Sequence, residues 1–501
     1  MKKSYLFLVI LMLIASFVRF FRFTDYLEFL DDQGRDAIVM KRILIDHDLT
    51  LLGPGTSVGN MYLGPLYYYA MTPFLALTYP DPTGPAYGMA LLGVMTVALV
   101  FLLGKEMVGE RAAGMAALLY ATAPVVMHLS RFSWQPNPAP FFGLLMMWCT
   151  YRALKGKTWY WLGVGLSFAV MTQLHYVAML TLFPSAMLFL YDAWKHPKKR
   201  TTHIQIALLS FFAVFLVFSP LIAFDLRHDH LILKGFQEFL TSQHQTSPLS
   251  DRIARFFLDL HGRGLQTIVE TLGLPHTTMT DREVNTILLV VFIVSAIFIA
   301  YTRVKKNKNS TAELILYVWI GMTIIGLCMY RNTVYPHYFA FLFPAIFLVT
   351  GMIFAHLASL RKFLLPVVWG VVALLALLNA GQLSIWRHKD SDMKLFRTIV
   401  QDISSSIKPG ERYNLALLNS NREYRAMKYR YFFEVSDKQP QSQYDYMNLD
   451  KLIVVVENGE QPLKAPIFEV QQFMREVKKP VLLTKKSYQG KIIEVYVFSR
   501  K

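Results

Sequence analysis

Long, nearly unbroken apolar runs separated by short polar or basic segments dominate the first 380 or so positions of the sequence. They begin near Ser4, Gly84, Ala112, Pro138, Trp159, Tyr176, Ile204, Asn285, Glu313, Tyr338 and Phe363. A bilayer core takes about 20 residues of helix, so the runs predict about eleven spans, the Trp159 and Tyr176 runs being the shortest. The first run, "MKKSYLFLVILMLIASFV", has the basic start and apolar stretch of a signal sequence. No A-x-A-like site follows it, and Arg19 and Arg22 come next, so it reads as an uncleaved first span with Lys2 and Lys3 in the cytosol.

Alternating sides from there places "GKEMVGER", "YRALKGKTW", "DAWKHPKKRTTH", "TRVKKNKNS" and "SLRKF" inside. All five are basic, which agrees with the positive-inside rule. Outside fall a long first loop (about 22–81), "HLSRFSWQPNP", a second long loop (about 225–284), "YRNTVYPHY" and everything after 384. In that last segment the pattern changes: "YNLALLN", "KLIVVVEN", "PVLLTKK" and "KIIEVYVFS" read as strands, "DMKLFRTIVQDISSSI" and "PIFEVQQFMREV" as helices. The expected organisation is therefore a polytopic α-helical membrane domain over 1–383 and an extracytosolic α/β domain over 384–501.

Composition narrows the class. With 501 residues, 54% of them hydrophobic, and a mean hydropathy of +0.34, the chain is too apolar for an ordinary soluble protein. The net charge of +17 does not point to nucleic acid, because much of the Lys and Arg sits in the short loops, where it orients the spans. Cys149 and Cys328 both lie inside apolar runs and say little about redox compartment.

Candidate chemistry gathers at the outer face. The main polar groups within the apolar runs are His128, Gln173 and His175, so the chain lacks the mid-membrane charges of an ion-coupled carrier. Outside stand Asp31, Asp32, Arg35, Asp36, Arg131, Asn137, Arg331 and His337. Within "FLDDQGRDA", the following "QGRDAIVMKRILIDHD" puts Ala37, Met40, Ile43 and Leu44 at helical spacing, which predicts a short amphipathic helix on the membrane surface with Asp31 or Asp32 as N-cap. On such a helix Arg35 and Asp36 stand three and four positions after Asp32, on its face. A carboxylate beside a guanidinium stays ionised and can take a proton from an incoming hydroxyl or amine. Arg35, with Arg331 or His337, can hold a phosphate. A cap with a surface ion pair is the structural alternative, and Arg131 with Trp134 is equally explained as an interfacial anchor.

These residues resemble the GT-C integral-membrane glycosyltransferases, in particular the protein O-mannosyltransferase-like and lipid A aminoarabinose-transferase-like members (family 39-like). The resemblance rests on "DDQGRDA", on "LGPLYYY" (63–69) and, later, on "YPHYFAFLFP". It implies a sugar taken from a polyprenyl-phosphate carrier and passed, with inversion, to a lipid, glycan or protein acceptor at the outer face of a prokaryotic cell membrane. It places Asp32 at the catalytic acidic position, with Asp31 as a second carboxylate. Arg35, Arg331, His337 and Tyr338 become contacts to the carrier's phosphate, with Tyr67, Arg131 and Asn137 beside them. Two departures stand out: Leu63 and Gly64 replace a basic residue and a second Pro, and Asn137 stands where many members carry an acid. A divalent cation held by two carboxylates then needs Asp31. The competing functions are a lipid-linked glycan flippase, which moves its substrate intact, and a non-catalytic membrane scaffold.

Overall fold

A computed structural model describes residues 2–56, 61–242, 249–273, 279–305, 311–330, 333–387, 391–488 and 493–500. The chain divides into two compact units. One comprises Met1–Phe23, Thr50–Met71 and Pro85–Arg387; the other comprises Thr24–Leu49, Thr72–Gly84 and His388–Lys501. The second unit thus takes in two pieces of the first long loop, which the sequence reading had grouped with the spans.

In the first unit every apolar run is helical, and among the described residues eight helical stretches are long and apolar enough to cross a bilayer. The run from Ala112 falls short for a local reason. Ala123 is extended (φ −61°, ψ 127°) ahead of Pro124, which separates helix Glu110–Thr122 from helix Pro124–Leu129. A proline disfavours helical geometry in the residue before it and supplies no N–H of its own. The Tyr176 run likewise opens as a 3-10 turn, Tyr176–Thr181, before helix Leu182–Lys195.

Small residues let these helices approach closely. A Cβ on Gly351, in helix Phe343–Leu360, would lie 2.2 Å from the Ala112 carbonyl oxygen, and one on Gly104 would meet Leu348 at 2.6 Å. Where both phases are apolar, such close contact does much of the work of association. The helices also bury charge near their C-terminal ends. Arg19 is fully buried within helix Lys2–Phe20, donating to the Ala15 and Ala121 carbonyls. Asp192 is buried too, accepting from Trp161 Nε1 at 2.8 Å and standing 3.0 Å from His203 Nε2 and 2.9 Å from His196 Nδ1.

The second unit is built on a four-stranded sheet. Its strands are β1 (Tyr413–Leu418), β2 (Lys451–Val456), β3 (Val481–Tyr488) and β4 (Ile493–Ser499), in the order β1-β2-β4-β3. β1 and β2 are parallel, while β4 runs antiparallel to both of its neighbours. Every residue of β1 and β2 is buried, as expected of parallel strands covered on both faces. On one face Ala416, Leu418, Leu452 and Val454 pack with Val470 and Phe473 of helix Phe468–Glu476. These strands and helices are those read from the sequence.

Helix Met427–Glu434 was not anticipated, because "MKYRYFFE" shows no apolar face. Seven of its eight residues are buried, so no exposed side marks a period. The segment Thr24–Leu49 supplies part of its cover: the Phe29 ring lies 5.7 Å from Phe432 and 6.1 Å from Tyr431.

Gly351→Val tests the close helix contact. The added side chain has backbone on one side and Ala116 on the other, so the variant is expected to lose about 1–3 kcal/mol of stability, seen as a lower melting temperature of the detergent-solubilised chain. Gly370→Val, at a glycine with open space beside it, is the control and should melt as the parent does.

Candidate active site

The acidic motif forms helix Asp31–Lys41, and its start is organised differently from the sequence expectation. The N-cap is Leu30, whose backbone N–H donates to Gln33 Oε1 at 2.9 Å; Asp31 and Asp32 occupy the first two helical positions. Both carboxylates therefore lie in the first turn, where the partial positive charge of the free N–H groups favours them. Nor does the helix lie open along a membrane surface: Asp31, Gln33, Gly34, Asp36, Ala37, Ile38, Met40 and Lys41 are all buried. It packs within its unit on helix Met427–Glu434, and the closest approach is at Gly34. A Cβ there would stand 2.4 Å from the Met427 carbonyl oxygen. This explains why a glycine sits inside the helix despite its cost of about 1 kcal/mol relative to alanine.

Three ionic groups form one cluster on the helix. Arg35 Nη1 lies 2.6 Å from Asp32 Oδ1, and its Nε and Nη2 donate to Asp36 Oδ1 at 3.0 and 2.8 Å. The Asp36 side chain is only 1% exposed, whereas that of Asp32 is 41% exposed. Asp36 is the buried counterion that orients Arg35. Asp32 is the accessible acid.

Asp31 faces elsewhere. It accepts from the Lys428 backbone N–H at 3.4 Å and stands 3.9 Å from Lys428 Nζ. Lys428 makes its shorter ion pair, 2.9 Å, with Glu457, which also accepts from Tyr429 Oη. Burial, only partly offset by Lys428, pushes the Asp31 carboxyl up from 3.8 to about 6. Glu423 completes the surroundings: burial first, then the charge of Asp32, raises its carboxyl, while Arg35 and Lys428 oppose the shift. The two acids of the motif are thus engaged separately, Asp32 with Arg35 and Asp31 with Lys428. That donor arrangement does not fit a divalent cation shared by Asp31 and Asp32. Among the described residues no three His, Cys, Asp or Glu side chains come together as metal ligands.

The remaining candidates belong to the first unit. Arg131 is buried and its guanidinium donates to the carbonyls of Val18, Arg19, Phe21 and Arg22, closing the C-terminal end of helix Lys2–Phe20. That use accounts for its charge without a substrate. Asn137 donates to the Phe132 carbonyl at 2.9 Å within its own loop, and its Oδ1 is buried with no hydrogen-bond partner among the described residues. Tyr67 is buried and shares a 2.5 Å hydrogen bond with Ser133. The departure at Leu63 and Gly64 has a structural setting. Leu63 is buried, where a basic side chain would lose its hydration, and a Cβ on Gly64 would collide with the Gln173 side chain.

His337 and Tyr338 sit in a group of rings. The His337 centroid is 4.4 Å from Trp134, 4.7 Å from Tyr338 and 5.6 Å from His175; Tyr338 is 4.6 Å from His175. Gln266 holds the preceding segment by donating to the Val334 carbonyl at 2.6 Å. Arg331 lies outside the described residues. Sequence reasoning noted His175 only as a polar group in an apolar run. It gave no signal at all for Glu423, Lys428 and Glu457, because the motif meets them some 397 positions later in the chain.

Comparison with known proteins gives the architecture a precedent. Residues 63–224 match the family model described as dolichyl-phosphate-mannose-protein mannosyltransferase. The fold superposes on the crystal structure of ArnT from Cupriavidus metallidurans bound to undecaprenyl phosphate, with a TM-score of 0.62, 12% identity and 98% of each chain covered. The apo form of that protein gives a TM-score of 0.60 at the same identity and coverage. The oligosaccharyltransferase of Archaeoglobus fulgidus is more distant, with a TM-score of 0.49 and 13% identity over 90% of this chain and 68% of that one. No curated protein matches. The chain has the fold of the ArnT structure, the GT-C fold.

Two predictions follow from the geometry. Asp31 holds its proton to higher pH in the folded chain than in the unfolded one, so its contribution is fully present below about pH 4 and is lost as pH rises through about 6. The loss amounts to roughly 2–3 kcal/mol at most. Asp31→Asn has no such proton to lose; melting curves between pH 4 and pH 7 should show the parent falling relative to the variant as pH rises. Arg131→Met should cost about 2–4 kcal/mol in thermal unfolding, because four carbonyls lose a charged donor, and Arg131→Lys should recover part of it.

Proposed function

We propose that this protein is a glycosyltransferase that takes a sugar from a polyprenyl-phosphate carrier and transfers it to an acceptor at the extracytosolic membrane surface. The observation that carries the reading is the Asp32–Arg35–Asp36 cluster, an accessible carboxylate whose guanidinium partner is held by a buried one. It occurs in a chain whose fold matches, over 98% of its length, a protein crystallised with undecaprenyl phosphate.

In this reading Asp32 is the general base. It takes the proton of the acceptor hydroxyl or amine as that oxygen or nitrogen forms its bond to the anomeric carbon. The bond from the anomeric carbon to the phosphate oxygen breaks, and its electron pair leaves with the phosphate. That group departs as an anion, so it needs less help from a general acid than a sugar alkoxide does. Attack opposite the leaving group inverts the anomeric centre. Arg35 serves twice: it orients Asp32 through their 2.6 Å contact, and as a planar donor it suits a phosphate oxygen. Asp36 fixes the guanidinium and so acts as a positioning residue. In the first unit the ring group of Trp134, His175, His337 and Tyr338 offers aromatic surface to an isoprenoid chain.

Membranes holding the full chain, supplied with a radiolabelled polyprenyl-phosphate sugar, test the proposal. Asp32→Asn should lower transfer by about 10²–10⁴-fold, the usual worth of a general base. Asp36→Asn should lower it less, since Arg35 is then held by Asp32 alone. Transfer that persists unchanged in Asp32→Asn removes Asp32 as base. Movement of intact labelled lipid across the membrane with no sugar transferred would instead make the protein a flippase.

A further inference from the structure

The sheet of the second unit carries a cavity that the catalytic cluster does not use. Parallel strands β1 and β2 end side by side, Leu418 opposite Val456, and the chain then leaves by two separate loops. Residues 419–426 lead from β1 to helix Met427–Glu434, and 457–467 lead from β2 to helix Phe468–Glu476. Between these loops lies a cavity of about 680 Å³. In open α/β sheets the ends of adjacent parallel strands whose connections diverge are the usual place for a ligand, and the volume lies within the usual range for small-molecule sites.

Its lining is polar and balanced in charge: Asn419, Ser420, Arg422, Tyr424, Asn458 and Glu460, over apolar Leu418 and Ile467. The loop backbones are held in place from within. Asn419 Oδ1 accepts the Glu423 N–H at 3.0 Å, Leu417 N–H donates to the Tyr424 carbonyl at 2.9 Å, and Asn458 donates to Glu460 Oε1 at 2.6 Å. By contrast, among the described residues the Ser420 hydroxyl, the Arg422 guanidinium and the Tyr424 hydroxyl have no protein partner. One guanidinium, one carboxylate, amides and hydroxyls can both give and accept hydrogen bonds from neighbouring hydroxyl groups. The half-buried Tyr424 ring can cover the C–H face of a pyranose. A phosphate would find the Glu460 carboxylate opposing it, and a cation would find Arg422.

We propose that this cavity binds a neutral polyhydroxyl ligand, one or two sugar units of a glycan, and that it is the acceptor subsite of the enzyme; the second clause rests on the glycosyltransferase reading above. Its place in the unit suits that use. Glu423 stands in the loop between Arg422 and Tyr424, and its carboxyl lies within the field of Asp32 and Arg35. Glu457, next to cavity residue Asn458, pairs with Lys428, the partner of Asp31. One loop thus faces the cavity through Arg422 and Tyr424 and the proposed base through Glu423.

The test is saturation-transfer NMR on the full chain in lipid nanodiscs with maltose, lactose, mannobiose and chitobiose as probes. Arg422 has φ +60°, so Arg422→Gly removes the guanidinium while relaxing the backbone, and it should fold. Tyr424→Leu is the second variant, with melting temperature as the check on folding. At least one disaccharide should bind the parent, bind Asp32→Asn equally, and bind each cavity variant about tenfold more weakly. Equal binding by parent and both cavity variants, no binding of any probe, or displacement of the bound sugar by inorganic phosphate would each overturn the proposal. Retained sugar binding in a chain that transfers no sugar from any donor would remove the enzyme reading and leave the site itself supported.

Discussion

At Gly34 the backbone of helix Asp31–Lys41 comes within a side chain's width of the Met427 carbonyl, and only a residue without a Cβ permits it. That approach sets the rest of the second unit. It brings Asp31 to the Lys428 backbone and ammonium group, and Lys428 in turn to Glu457 at the end of β2. Phe29 and Lys41, from the same segment, meet Phe432 and Glu434 on helix Met427–Glu434. A piece of the first long loop is thereby built into the α/β unit, with the acidic motif carried on a largely buried helix. The proposed general base needs such rigid support to hold its geometry.

The same packing separates acids that look equivalent in the sequence. Asp31 is drawn inward, loses its hydration and keeps a proton to about pH 6; Asp32, one residue on, stays accessible and paired with Arg35. Asp36 is buried under the guanidinium. A helix turns about 100° per residue, so three carboxylates within six positions meet three different environments. Their division of labour follows from burial.

In the first unit the constraint is bilayer chemistry. Glycines at 104 and 351 allow close helix contact, and the buried charges find partners near helix ends: Arg131 on four carbonyls, Asp192 on Trp161 and two histidines. Conserving such satisfied polar groups costs little once they are paired, whereas leaving one unpaired in the membrane costs several kcal/mol. Arg131 and Tyr67, attractive as substrate contacts by sequence, are engaged in this way.

Much was legible from the residues alone. Run length marked the long apolar helices, because a span must satisfy its own backbone and advertise an apolar surface; short apolar and β-branched runs marked the four strands. The ionic helix and the Asp32–Arg35 pairing were legible for the same reason, since contacts three residues apart are local geometry. Helix Met427–Glu434 left no signal, because a helix buried on nearly all sides has no polar face to reveal its period. The true N-cap at Leu30, the burial of Asp31 and Asp36, and the partners Lys428, Glu457 and Glu423 were decided by tertiary structure. They depend on contacts between segments almost 400 residues apart, and a one-dimensional pattern cannot record which surfaces such segments bury against each other.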